Sequence, residues 1–143
     1  MGTYYVNEAV FEVPEGLVDR TVNVLEGETP AGGELGLLCV RTRLAAGSTL
    51  REVVAAHLEG ERRALRAWEL LGEEEAEIDG APAIRIRARW RADGGMVFQE
   101  QAHVAAGASW LLLSANGPLE ERAFVEATME RALSTLRLRE EGP

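Results

Sequence analysis

The chain has 143 residues, a net charge of −9, a pI near 4.8, and a composition 46% hydrophobic and 27% charged. That length suits a single domain over residues 1–143, able to bury a core without a metal or disulfide. The acidic balance argues against nucleic acid and anionic membrane surfaces as partners, and the lone Cys39 excludes an intrachain disulfide.

The opening segment, MGTYYVNEAVFEV, has no basic n-region and no long apolar run, so no secretory signal is expected. Val6 stands where a myristoylation site needs Ser or Thr. No stretch approaches the eighteen or so apolar residues of a membrane span, so direct membrane insertion is not expected and the cytoplasm is the expected location. Two short apolar runs, Tyr4–Val6 and Val10–Val13, are followed by a turn at Pro14 and Gly16. In RTVNVLEG, Val22 and Val24 alternate with Thr21 and Asn23, which predicts a half-buried strand. After the loop Glu28–Gly33, the run Glu34–Leu44 is apolar enough at its start to be covered on both faces. Leu38, Val40 and Thr42 share one face, and Cys39, Arg41 and Arg43 the other. With apolar neighbours on both sides, Cys39 reads as a small buried hydrophobe.

The clearest helix follows. Ser48 or Thr49 is the expected N-cap, with Glu52 at capping-box spacing from Thr49, and Leu50, Val53, Val54, Leu58, Leu65, Trp68 and Leu71 recur at helical intervals. Gly72 is then the expected C′ residue, and Gly60 is either a weak point inside the helix, costing about 1 kcal/mol relative to Ala, or a place where a neighbour approaches closely. The period changes at EEEAEIDGAP, an acidic strand ending in an Asp79-Gly80 turn. AIRIRARWRADGGMVFQEQAHVAA reads as a hairpin and ASWLLLSANG as a further strand. A closing helix carries Phe124, Val125, Thr128, Met129, Leu133 and Leu136 on one stripe, ahead of the tail Arg139–Pro143. Strands, helix, strands, helix without regular βαβ units predict an α+β fold, an antiparallel sheet flanked by two main helices.

Two turn geometries fit Asp93-Gly94-Gly95. A three-residue loop puts Gln99, Gln101 and His103 beside Arg85–Arg91; a two-residue loop puts them among Ile84, Ile86, Ala88 and Trp90 and turns Glu100 toward the arginines. A slip of one residue moves every side chain to the other face, and the sequence leaves both open. The four arginines read as partners in cross-strand charge pairs, and Glu73–Glu75 as a solvated strand start.

Catalytic and metal-binding patterns are missing. The two histidines, His57 and His103, have no metal-ligand spacing, and there is no HExxH, GxSxG, GxGxxG or GxxxxGK[ST]. Neither an enzyme, a metal nor a cofactor is expected.

YYVNEAVFEVPEGLVDRTVNVL resembles the opening of the DcrB-related proteins known as Eag chaperones, and DGGMVFQEQAHV resembles their later segment, a Gly turn leading to an aromatic and a Gln-x-Gln pair. The order of elements agrees from Tyr4 to Leu138. Glu100 departs from the basic residue expected between the glutamines. The resemblance implies a Mog1/PsbP-like fold. It also implies a bacterial cytoplasmic chaperone, typically a homodimer, that shields the N-terminal transmembrane helices of a type VI secretion effector before export. Gln99 and Gln101 match the Gln-x-Gln pair, and Val22 and Val24 the apolar positions of the Thr-Val-Asn strand. Leu38, Val40, His57 and Val97 join the expected groove by parity and neighbourhood; His57 also fits a partly buried helix residue. The competing reading is a non-catalytic module of the same fold for a different protein or a small ligand.

Overall fold

A computed structural model describes residues 2–6, 9–13 and 22–138. The expected turn at Pro14 and Gly16, Thr21 and the tail at 139–143 lie outside these residues. Strands β1 (Gly2–Val6) and β2 (Ala9–Val13) pair antiparallel as a two-stranded sheet. The main sheet contains β3 (Val22–Glu28), β4 (Glu34–Arg43), β5 (Glu69–Ile78), β6 (Ala81–Ala92), β7 (Gly95–Ala106) and β8 (Ser109–Pro118). Its order is β3-β4-β8-β7-β6-β5, every pair antiparallel. Helix α1 (Leu50–Ala64) joins β4 to β5, and a 3-10 turn (Leu119–Glu121) leads into α2 (Arg122–Thr135).

Each helix covers one face. α2 packs on β8 and β7, where Phe98, Ala102, Val104, Leu113 and Ala115 meet Val125 and Met129. Close approach is possible because Gly117 has no side chain; a Cβ there would lie 2.6 Å from Val125 Cγ2. Cys39 is half-buried against this core, and burial pushes its thiol above the ordinary range. α1 lies on β6 and β7 on the opposite face, burying Val54 against Ile84 and Ile86. Its start is the expected capping box: Thr49 Oγ1 accepts from the Glu52 amide, and Glu52 Oε1 accepts from the Thr49 amide.

Three expectations are corrected. α1 ends at Ala64, so Leu65, Trp68 and Leu71 do not extend its stripe and Gly72 is not its C′ residue. Leu65 is extended and Ala67 has φ 52°. From Glu69 the backbone is instead satisfied by β6, through Glu69↔Arg89 and Leu70↔Ala88 and a bulge before Gly72. Gly60 admits no close neighbour, since a Cβ built there meets nothing within 4 Å. Finally, β3 is not half-buried: all seven of its residues are exposed. Among the described residues it is an edge strand paired with β4, and neither helix makes a substantial contact with it.

Candidate functional site: the open half of the α1 face

The β6–β7 turn settles the register. Ala92 pairs with Gly95, the two-residue geometry, so Gln101 lies opposite Ile86, Gln99 opposite Ala88 and Glu100 opposite Arg87. The pairing continues without a shift across β8, β4 and β3. One row on the α1 face therefore runs Val22, Val40, Leu112, His103, Ile84, and the next runs Val24, Leu38, Ser114, Gln101, Ile86. A third runs Glu26, Gly36, Asn116, Gln99, Ala88. Val97 faces the same way beside Trp90. All seven strand residues expected in a groove thus share one face, and His57 reaches that face from α1.

Their exposure divides them. Val22 is 50% exposed and Val24 58%. Leu38, Val40, Val97 and His57 are half-buried, while Gln99 and Gln101 are buried. The amides are held in a directed chain. Trp110 Nε1–H donates to His103 Nδ1 at 3.1 Å, which assigns the imidazole proton to Nε2. That nitrogen donates to Gln101 Oε1 at 2.6 Å. Gln101 Nε2 then donates to Gln99 Oε1 at 2.6 Å and to Glu61 Oε1 at 2.5 Å. Gln99 Nε2 donates to Ser114 Oγ at 2.9 Å. The chain explains amides in a buried strand, because the amide oxygen and nitrogen of both Gln99 and Gln101 gain partners on leaving water. Glu61 also holds His57, at 2.6 Å.

His103 is fully buried, and its pKa is lowered to about 3 by that burial and by the nearby His57. Their rings meet edge to face, with centroids 5.2 Å apart, and His103 stacks on Trp110 at 5.7 Å. Beside this cluster a cleft of about 450 Å³ opens between α1 and β8, lined by Ser48, Glu52, Val53, Ala56, His57 and Trp110. Among the described residues no group of three or more His, Cys, Asp or Glu side chains is placed to hold a metal.

Glu100 belongs to the other face. It is fully buried beneath α2, 2.5 Å from Arg85 Nη2 and 3.5 Å from Arg87 Nε. Burial pushes its carboxyl above the ordinary range, and the two guanidiniums offset this only in part. The residue that departs from the resemblance therefore does not touch the glutamines' surroundings, and three of the four arginines, Arg85, Arg87 and Arg89, take cross-strand charge pairs as expected.

Sequence reasoning did not place Glu61, Ser114, Asn116 or Trp110 in the site. Glu61 carried one local signal, its position four residues after His57 on a helix. The others lie on β8 and reach the glutamines only through strand pairing.

The DcrB family model matches residues 8–135. The fold is similar to a Pseudomonas aeruginosa protein of unknown function, PA94, with TM-score 0.79, 21% identity and 99% of each chain covered. It is similar to the cyanobacterial PsbP of Synechocystis sp. PCC 6803 at TM-score 0.56, with 12% identity over 94% of this chain and 89% of that one. It is also similar to LpqN of Mycobacterium tuberculosis at TM-score 0.52, with 13% identity over 82% of each chain. No curated protein sequence matches the chain.

Proposed function

The chain belongs to the DcrB family, and on that premise we propose that it is a chaperone for a type VI secretion effector. It binds the effector's N-terminal hydrophobic segments in the bacterial cytoplasm and shields them before export, without catalysing a reaction and as a homodimer. The observation that carries this reading is the single face shared by Val22, Val24, Leu38 and Val40 with the Gln99–Gln101 chain. A transmembrane helix in water exposes apolar surface at about 25 cal/mol per Å². An open, partly apolar sheet flank is a fitting cover for it, in the manner of a helix laid in a groove. Val22 and Val24 supply area that no other part of the described chain covers.

Gln99 and Gln101 have a supporting role in this reading. Their hydrogen bonds fix the floor of the face, and Gln99 neighbours Ser114 and Asn116 at the border of the open half. Gln99 and Ser114 are buried, so it is the half-buried Asn116 whose amide suits the polar side chains through which membrane helices pair. Glu100 has no part in the groove.

The test is co-expression with any protein encoded beside this one that bears N-terminal hydrophobic segments. Soluble recovery of that protein should depend on this chain. A version lacking the segments should no longer co-purify. Co-purification that survives their removal would replace this reading with the alternative, a binding module for another part of a protein.

A further inference from the structure

The open half of the α1 face is not uniform along its strands. At one end it is apolar: Val22 beside Val40 and Leu112, then Val24 beside Leu38. Two residues further it becomes acidic: Glu26 lies opposite Gly36, and Glu28 opposite Glu34. The three carboxylates are exposed and none forms an ion pair among the described residues. Glu28 and Glu34 are like charges directly across a strand pair, an arrangement that destabilises the pair unless a cation is supplied. No Lys or Arg stands on this face of β3, β4 or β8. Elsewhere the chain pairs exposed glutamates with its own arginines, as Glu75 with Arg51 and Glu69 with Arg89.

A second observation lies on the same row as Glu26. Asn116, joined to it through Gly36, has a buried Oδ1 with no hydrogen-bond partner. Gly36 adds no side chain between them, and a Cβ built there would meet nothing within 4 Å. Three exposed carboxylates therefore border one end of an apolar strip and call for a cation, while Asn116, half-buried with its Nδ2 donating to Ser114, lies two strands inward from Glu26.

We propose that this end of the face receives the basic flank of the hydrophobic segment. The occupant is an apolar helix with Lys or Arg beside one terminus, its apolar body on Val22, Val24, Leu38 and Val40 and its cationic end at Glu26, Glu28 and Glu34. From Val22 to Glu28 is roughly 20 Å of strand, which about 13 residues of helix span, so one helix reaches from the apolar end to the acidic one. The acidic end fixes the direction in which the helix lies and discriminates against segments with acidic flanks. This rests on the chaperone reading and adds a charge requirement to it.

The experiment uses the full chain co-expressed with two carrier proteins, each bearing the same 20-residue Leu/Ala segment. One segment is flanked by two lysines and the other by two glutamates. The ratio captured is read by mass spectrometry. Lys-flanked segment should be favoured roughly three- to tenfold at low salt, the range that two or three exposed ion pairs supply. The preference should fade at 1 M salt, where the Debye length is about 3 Å, and should invert in the triple variant Glu26→Lys, Glu28→Lys, Glu34→Lys. An unchanged thermal melt confirms that this variant is folded. Equal capture of both segments overturns the charge requirement and leaves the chaperone reading intact. Capture of neither overturns the chaperone reading, and the charge requirement falls with it.

Discussion

The two faces of the sheet use the same strands to opposite ends. Under α2, Phe98, Ala102 and Val104 of β7 and Leu113 and Ala115 of β8 are apolar and buried, making a core with Val125 and Met129 beside the ion-paired Glu100. Under α1, the intervening residues of the same strands are Gln99, Gln101, His103 and Ser114, tied in a hydrogen-bonded chain. On that face α1 packs on β6 and β7, Leu112 and Ser114 of β8 are also buried, and Val22 and Val24 of β3 stay exposed. A dry face gains stability from burial in proportion to area. A polar face gains little net, because its hydrogen bonds replace bonds to water, but it is specific and is costly to disturb in part. The contrast suggests a division of labour: the α2 face holds the fold, and the α1 face presents a surface.

The largest effect should come from breaking the dry face. Phe98 is fully buried there, and Phe98→Ala is expected to cost roughly 3–5 kcal/mol of unfolding free energy, read from urea denaturation. A loss below about 1 kcal/mol would mean that the α2 face is not the anchor. On the polar face, Gln101→Ala deprives Glu61, Gln99 and His103 of a partner at once. The expected cost is roughly 1–3 kcal/mol, the penalty of leaving buried polar groups unsatisfied. Gln101→Glu should not rescue it, because a carboxylate cannot donate to Glu61.

The faces should also differ in their response to pH. His103 titrates near 3 when folded, against 6.5 for the free side chain. Below pH 6.5 the unfolded chain takes up a proton that the folded chain refuses, so stability is complete above 6.5 and falls toward pH 3. The slope is about 1.4 kcal/mol per pH unit. His103→Gln should flatten this dependence between pH 7 and 5 in denaturation curves; an unchanged slope would place the titration elsewhere. Glu100 on the other face runs the opposite way. Its folded pKa is raised above 4.5, so the cost of its buried charge is relieved as pH falls through that raised value.

How much of this was legible in the sequence depends on the range of the interaction. The start of α1 was, because Thr49 and Glu52 make a complete local signal. Its end was not: the spacing of Leu65, Trp68 and Leu71 fits a helix, and only the partner strand β6, distant until the chain folds, draws Glu69 onward into the sheet. The shared parity of Gln99, Gln101 and His103 was legible, but not the face they occupy, because Asp93-Gly94-Gly95 fits two loops. Alternation at Val22 and Val24 looks alike in a half-buried strand and in an uncovered edge. Position within the sheet order decides between them, and no local pattern encodes that order.

The sharpest test of the division of labour is therefore the smallest perturbation of the fold. Val22 and Val24 are at least half exposed and belong to neither core cluster. In the free protein, Val22→Ser with Val24→Ser should shift unfolding free energy by no more than about 0.5 kcal/mol, as for surface substitutions generally. Under a bound hydrophobic helix the same two side chains would be covered, and losing their apolar area would weaken binding roughly tenfold. Comparing denaturation midpoints with capture of the Lys-flanked segment separates the two effects. Loss of capture without loss of stability assigns the exposed valines to the partner. Equal losses in both would make β3 part of the scaffold and end the distinction between the faces.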